Sequence, residues 1–213
     1  MMKLYGFFRS SAAFRVRIAL NLKGLDYEPS AVHLRRGEQR APEFLKLNPQ
    51  ALVPALIDGE RVLTQSLAII EYLDEIHPAR PLLPATPEGR ARVRALAQII
   101  ACEIHPLGNL RVLQYLGREL KQDEPTVQRW FNHWIALGFL AFESLIAGHA
   151  ATGKFCHGDE PGLADVCLVP QVFNARRYDL DLKPYPTLMR IFDACMTLPA
   201  FDRAQPSNQP DAE

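Results

Sequence analysis

The sequence has no charge excess, no long apolar run and no glycine-rich phosphate loop. Lysine plus arginine and aspartate plus glutamate number 24 each, so the formal net charge is zero at pH 7. A neutral chain has no global field to attract nucleic acid, so a nucleic acid partner is not expected and any preference for anions must be local. No apolar stretch reaches the ~18 residues typical of a transmembrane helix, so no membrane partner is expected.

Cysteine pairs and metal-binding spacings are also missing. The four cysteines are scattered without a CxxC pair, which favours reduced thiols over a disulfide framework. The histidines show no HExxH spacing, and no metal site is predicted. The first residues lack a charged segment followed by an apolar run, so no signal peptide is expected. Together these features predict a cytoplasmic protein.

Residues 1–80 mix strand and helix signals in the order β-α-β-α-β-β-α. An apolar strand over residues 4–8 leads into a helix over residues 11–23, which should end at Gly24. A strand over residues 27–34 completes a βαβ unit. The Asp58-Gly59 pair between two apolar runs predicts a hairpin, and a helix over residues 66–76 follows it.

A proline-rich stretch separates this region from a helical one. Pro78, Pro81, Pro84 and Pro87 crowd ten residues in which neither helix nor strand persists, so they predict a linker. Beyond it the periodicity is only helical, and residues 88–213 are predicted to form an all-α domain. The predicted helices cover residues 88–120 with a possible kink at Pro106, 125–148, 163–178 and 185–196. Residues 205–213 are expected to fray.

The turn Arg9-Ser10-Ser11 is the most informative stretch. It places a guanidinium and two hydroxyls where a strand passes into a helix. The first N–H groups of a helix lack internal partners, and the helix dipole favours negative charge there. Without a glycine run the turn does not match a phosphate loop. A carboxylate and a thiolate both remain possible anions.

With this element order, the motifs resemble the soluble glutathione transferases, and in particular their zeta class. The motifs are Arg9-Ser10-Ser11 with residues 15–20, Leu47-Asn48-Pro49, Val53-Pro54-Ala55-Leu56, and residues 65–73, 168–172 and 174–178. The resemblance spans nearly the whole chain. It implies an α/β thioredoxin-like domain that binds glutathione, over residues 1–80, and an all-α domain that binds substrate, over residues 88–213. It also implies glutathione as the cofactor and a homodimer.

The resemblance assigns roles around glutathione. Ser10 would hydrogen-bond the thiol, with Ser11 and Arg9 in support, and so favour the thiolate over a thiol that titrates near ~8.5. The other implied glutathione ligands are Gln39, Val53 before a cis Pro54, Gln65, Ser66, His105 and Asn109. Simple helix capping by Ser10 and Ser66 is the plain alternative. For His105 the alternatives are a structural role or a dimer contact.

Three arginines would hold the second substrate. In the family's geometry, the positions of Arg9, Arg111 and Arg177 face the pocket for the electrophile, whereas Arg176 is expected at the surface. Guanidinium groups hold carboxylates through paired hydrogen bonds, so several around one pocket imply a dicarboxylate.

One departure from the zeta pattern restricts which group can act as the nucleophile. Ala12 stands where these enzymes usually carry cysteine, so the nucleophile must be glutathione itself. The expected activity is isomerisation of a maleyl keto acid, maleylpyruvate or maleylacetoacetate, to its fumaryl isomer during the breakdown of aromatic compounds. A transferase or dehalogenase acting on small α-halo acids and a non-catalytic binding scaffold are the alternatives.

Overall fold

The computed structural model describes all 213 residues, which form two compact units. The first unit comprises Met1–Leu82 together with Met196–Glu213, and the second comprises Leu83–Cys195. In the N-terminal part of the chain, the units divide between Leu82 and Leu83, within the proline-rich stretch. The sequence assigned residues 196–213 to the helical domain, whereas the structure places them in the first unit.

The first unit begins with a thioredoxin-like arrangement of strands and helices. Its elements are β1 (Met2–Gly6), α1 (Ser11–Lys23), β2 (Tyr27–Ala31), α2 (Pro42–Leu47), β3 (Ala55–Asp58), β4 (Arg61–Thr64) and α3 (Ser66–Ile76). The sheet order is β2-β1-β3-β4, with β1 and β2 parallel and the other pairs antiparallel. The hairpin is confirmed, and Gly59 adopts the left-handed conformation that its turn requires (φ 59°).

Helix α1 is buried on nearly every side. Gly24 ends it in the left-handed conformation, as predicted (φ 68°). Residues 13–20 are all buried, including Arg15 and Arg17. The reason is that α1 packs against α3 on one part of its surface and against a C-terminal helix on another.

The second unit contains helices and no strand. Its helices are α4 (Pro87–Gln98), a π-helix (Ile99–Ile104), α5 (Leu110–Arg118), α6 (Glu124–Ile146), α7 (Leu163–Arg177) and α8 (Pro186–Met196). The sequence treated residues 88–120 as one helical region. The structure interrupts it because Pro106 has no N–H to donate, and Asn109 starts α5 by accepting from the Arg111 N–H at 3.1 Å. No helix combines the length and the apolar character needed to cross a membrane.

The C-terminal segment packs within the first unit. Asp211 accepts the Phe8 N–H and Glu213 contacts His33, so the expected fraying of residues 205–213 is wrong. Helix α9 (Pro199–Ala204) packs on α1. The Nε of Arg17 donates to the Ala204 carbonyl at 3.0 Å, and the Nδ2 of Asn21 donates to the Ala200 carbonyl at 2.9 Å. The Ala204 carbonyl is at the C-terminus of α9, where the helix itself supplies no donor, and Arg17 satisfies it.

Asp165 anchors the start of α7 from a buried position. Its two carboxylate oxygens accept separate backbone N–H groups, from Cys156 and from Gly162, each at 2.9 Å. The Asp165 residue is 1% exposed, and this burial raises its pKa although the hydrogen bonds oppose the shift. A carboxylate therefore joins the 156 loop to the N-terminus of α7.

Candidate active site

Ser10 is the N-cap of α1. Its Oγ accepts from the Ala13 N–H at 3.2 Å, and its carbonyl accepts from the Phe14 N–H at 2.8 Å. A serine hydroxyl that accepts a hydrogen bond keeps its own proton for a second partner. Capping the helix and donating to a thiolate are therefore compatible roles for the same side chain.

The neighbours of Ser10 complete a polar turn. Ser11 is the first helical residue and is 6% exposed, whereas Ser10 and Arg9 are half-buried. The Arg9 guanidinium lies 4.8 Å from the centroid of the Phe8 ring. The first turn of α1 carries no acidic side chain. The positive end of the helix is thus not neutralised locally, which suits an anion.

The start of α3 offers a second place for an anion. The sequence made Ser66 an N-cap candidate, which is wrong by one position, because the backbone turns at Gln65 (φ 67°) and Ser66 is already helical. The Gln65 side chain does not cap the helix; its Nε2 donates to Gln50 instead, at 2.8 Å. With no side-chain cap, the first N–H groups of α3 remain available to a carboxylate.

Arg15 is a functional candidate that the sequence reasoning missed. Its Nη1 donates to the Ser66 Oγ at 3.3 Å, with both side chains buried. The bond joins the second turn of α1 to the first residue of α3, the two helices whose N-termini favour anions. A charged residue inside an otherwise apolar helical run was the signal that could have identified it.

Val53 and Gln39 present further groups that fit a peptide ligand. The predicted cis peptide between Val53 and Pro54 is confirmed. Pairing with both neighbouring strands begins at Ala55, so the Val53 backbone lies outside the ladder. Gln39 is 9% exposed, and its buried Oε1 has no hydrogen-bond partner. A buried acceptor of this kind matches an N–H donor of a bound peptide.

In the second unit, two segments with predicted site residues converge on Phe131 of α6. A Cβ built on Gly108 would lie 2.6 Å from the Phe131 ring, so the turn before α5 needs glycine there. On the other side, the Tyr178 ring stacks on Phe131 with centroids 3.8 Å apart. The turn that leads to Arg111 and the end of the helix that carries Arg177 therefore share one aromatic support.

The predicted ligands of this unit occupy the ends of its helices. His105 follows the π-helix directly, and Asn109 caps α5 as described above. Arg111 and Arg177 are exposed, and the Arg177 guanidinium lies 5.0 Å from the centroid of the Tyr178 ring. Arg176 is also exposed, and its guanidinium lies over the Phe192 ring at 4.4 Å.

The buried cysteines are poor nucleophiles. Cys156, Cys167 and Cys195 are buried, and Cys102 is exposed. Burial raises the pKa of the Cys156 and Cys195 thiols, which keeps both protonated at neutral pH. With alanine at position 12, the polar turn holds hydroxyls and a guanidinium but no thiol.

Comparison with known proteins identifies the family. Residues 1–75 match the family "Glutathione S-transferase, N-terminal domain". A probable maleylacetoacetate isomerase of Vibrio cholerae is 56% identical over 98% of this chain and 97% of its own length. A maleylpyruvate isomerase of Ralstonia is 52% identical over 99% of this chain and 100% of its own length.

Solved structures agree with this result. The holo structure of a zeta-class maleylpyruvate isomerase superposes with a TM-score of 0.97 at 51% identity, covering 99% of this chain and 100% of the other. A maleylacetoacetate isomerase from Methylobacterium extorquens AM1, with bound malonate and glutathione, gives 0.96 at 43% identity over 99% of each chain. The similarity spans both units and includes a structure named as zeta class. The chain therefore belongs to the zeta class of the glutathione transferases.

Proposed function

We propose that this protein is a glutathione-dependent cis–trans isomerase that converts a maleyl keto acid, maleylpyruvate or maleylacetoacetate, to its fumaryl isomer. The observation that carries the proposal is Ser10 at the start of α1, a hydroxyl that caps the helix and still has a proton to donate. The full-length similarity to maleylacetoacetate and maleylpyruvate isomerases supports this function over the conjugation of α-halo acids.

The residues of the first unit fit glutathione as the cofactor. Ser66 and the uncapped start of α3 would receive the γ-glutamyl carboxylate, with Gln65 beside them. The Val53 backbone would pair with the peptide backbone, and the buried Oε1 of Gln39 would accept an N–H group. His105 and Asn109 of the second unit are proposed as further ligands.

When bound, glutathione would supply the thiolate nucleophile for reversible addition to the cis double bond, which permits the isomerisation. Ser10 would donate a hydrogen bond to the sulfur and so favour the ionised nucleophile. The start of α1, with Ser11 and Arg9, adds positive potential around the same turn. Arginine side chains stabilise the negative charge that develops on the keto acid.

Arginine recognition supports a dicarboxylate as the second substrate. Arg9, Arg111 and Arg177 are the proposed ligands, and a guanidinium binds a carboxylate through two parallel hydrogen bonds. Solved relatives hold ligands of this chemistry: malonate in one, and dicarboxyethyl glutathione with citrate in another. The aromatic support at Phe131 and Tyr178 would fix the segments that carry Arg111 and Arg177.

Replacing Arg177 by alanine is expected to raise the KM for the diacid by about tenfold to a hundredfold, the loss of one charge-assisted pair, with little change in glutathione affinity. Arg176→Ala is the matched control, because Arg176 is the adjacent exposed arginine but packs on Phe192. Steady-state kinetics with each substrate varied in turn measure both effects. Equal KM values for Arg177→Ala and the parent would remove Arg177 from the substrate site.

The function itself is tested by following the ultraviolet absorbance of maleylpyruvate and of maleylacetone in the presence of catalytic glutathione. Free thiol is assayed in parallel. An isomerase removes the maleyl signal at constant thiol, and the ratio of the two rates ranks the substrates. Loss of thiol in step with substrate would show a conjugating transferase, and no change in either would show that the protein is not this enzyme.

We further propose a homodimer in the cytoplasm. The three exposed leucines of α6 (Leu137, Leu140 and Leu145) support a partner surface, because exposed apolar side chains on one helix favour association. Free cysteines support a reducing compartment. Sedimentation velocity over a range of concentrations should give twice the chain mass, and a single-chain mass throughout would refute the dimer.

A further inference from the structure

We infer that the C-terminal segment positions the catalytic turn, with Asp211 and Arg17 as positioning residues that clamp the backbone of Phe8. This inference rests on the proposed role of Ser10. It concerns residues that do not touch the substrates and that lie far apart in the sequence. All of them belong to the first unit.

The clamp holds both backbone groups of one residue. The Phe8 N–H donates to the Oδ2 of Asp211 at 3.0 Å. The Phe8 carbonyl accepts from the Nη2 of Arg17 at 3.0 Å. The same guanidinium, through its Nε, donates to the carbonyl of Ala204 at the end of α9. The C-terminal segment therefore reaches Phe8 directly through Asp211 and indirectly through Arg17.

Phe8 is two residues before Ser10 and sets the path of the turn. The Ser10 N–H donates to the Phe7 carbonyl at 2.8 Å, which closes the turn around Phe8 and Arg9. The buried Phe8 ring supports the Arg9 guanidinium. A shift of the Phe8 backbone would therefore move both the hydroxyl that faces the thiol and the nearest guanidinium. Misplacement by about 1 Å is enough to reduce catalysis strongly.

The clamp contains one buried positive charge, on Arg17, and one negative charge, on Asp211. Arg17 is 4% exposed, and burial lowers its pKa to about 10, so it remains protonated at neutral pH. Asp211 interacts electrostatically with it. A second tail contact, from Glu213 to His33 at 2.8 Å, lies beyond β2 and does not touch Phe8, although the His33 ring packs on the Phe7 ring with centroids 5.0 Å apart. The tail therefore offers one contact that bonds the Phe8 backbone and one that makes no bond to the backbone of the turn.

The test compares Asp211→Ala, Asp211→Asn and Glu213→Ala in the full-length protein. The readouts are kcat, KM, the pKa of the bound glutathione thiol from its thiolate absorbance, and the melting temperature. Asp211→Ala is expected to lower kcat by about tenfold and to raise the thiol pKa, with a smaller change in KM. Asp211→Asn should restore most of kcat and bring the thiol pKa most of the way back to the parental value, because an amide oxygen still accepts from the Phe8 N–H. Glu213→Ala should match the parent.

Two results would overturn the inference. One is an unchanged kcat and thiol pKa in Asp211→Ala, whatever happens to its melting temperature. The other is an Asp211→Asn variant as impaired as Asp211→Ala. A Ser10→Ala variant with parental kcat would instead refute the proposed role of Ser10. Failure of the positioning role and failure of the proposed function are therefore distinguishable in one set of measurements.

Discussion

Ser10→Ala is expected to lower kcat for the maleyl substrate by about a hundredfold, the usual loss when a donor that stabilises a reacting anion is removed. The affinity for glutathione should change much less, because the proposed carboxylate and backbone contacts of the peptide lie elsewhere. The pKa of the bound thiol should rise, since its hydrogen-bond donor is gone. Stopped-flow absorbance of the thiolate as a function of pH, together with steady-state kinetics, measures both effects.

The same substitution also removes a helix cap, so its effect needs to be separated from stability. Ser10 accepts from the Ala13 N–H, and losing an N-cap costs about 1 kcal/mol. Glycine at the N-cap costs only a few tenths of a kcal/mol and has no side-chain donor. Ser10→Gly should therefore unfold close to the parent yet show the same loss of kcat as Ser10→Ala.

Ser11→Ala supplies a second comparison, because Ser11 is the adjacent serine and is buried at the first helical position. Ser11→Ala is expected to raise the thiol pKa less than Ser10→Ala does. If Ser10→Gly kept parental turnover while Ser10→Ala lost it, Ser10 would act only as a cap. If Ser11→Ala alone raised the thiol pKa, the roles of the two serines would be reversed.

Features with local signals were predictable from the sequence. The Asp58-Gly59 turn places β3 against β4, Gly24 ends α1, and α3 begins and ends as the periodicity indicated. Each depends on the conformational preferences of a few adjacent residues. The polar turn at Ser10 was predictable for the same reason, since it lies between a clear strand and a clear helix.

Features that depend on contacts distant in the sequence were not predictable. Asp74 of α3 is one example, because its Oδ1 lies 2.7 Å from the Nζ of Lys23 and also accepts the Leu82 N–H. The polar, proline-rich tail was expected to fray, but Asp211 binds the Phe8 backbone across two hundred residues. The composition of a segment indicates how polar it is, but it does not indicate which distant residues its side chains contact.

The N-cap of α3 was predicted incorrectly although the local sequence favoured it clearly. Serine after a strand is a strong N-cap candidate, and the sequence favoured Ser66 for that role. The structure instead turns at Gln65, a non-glycine residue with positive φ, and buries Ser66 against Arg15. Strained backbone of this kind is concentrated at binding sites. The departure from the capping rule therefore lies at the proposed carboxylate site.

Asp165→Ala is expected to cause the largest loss of stability. The carboxylate accepts two backbone N–H groups, of the buried Cys156 and the half-buried Gly162, and its removal leaves both without this acceptor. Each unsatisfied donor costs about 1–3 kcal/mol, so the free energy of unfolding should fall by roughly 2–5 kcal/mol. Gly162 has no side chain to compensate at the N-cap of α7.

Urea denaturation followed by circular dichroism measures the change, with Asp159→Ala as the matched control. Asp159 is an exposed aspartate of the same loop and accepts one backbone N–H, from Lys154 at 2.9 Å. Its loss should cost less than about 1 kcal/mol, because water replaces the acceptor. Asp165→Asn should also be strongly destabilised, since the amide turns a donor towards one of the two N–H groups. Equal stability of the two alanine variants would show that the Asp165 bonds do not hold the start of α7.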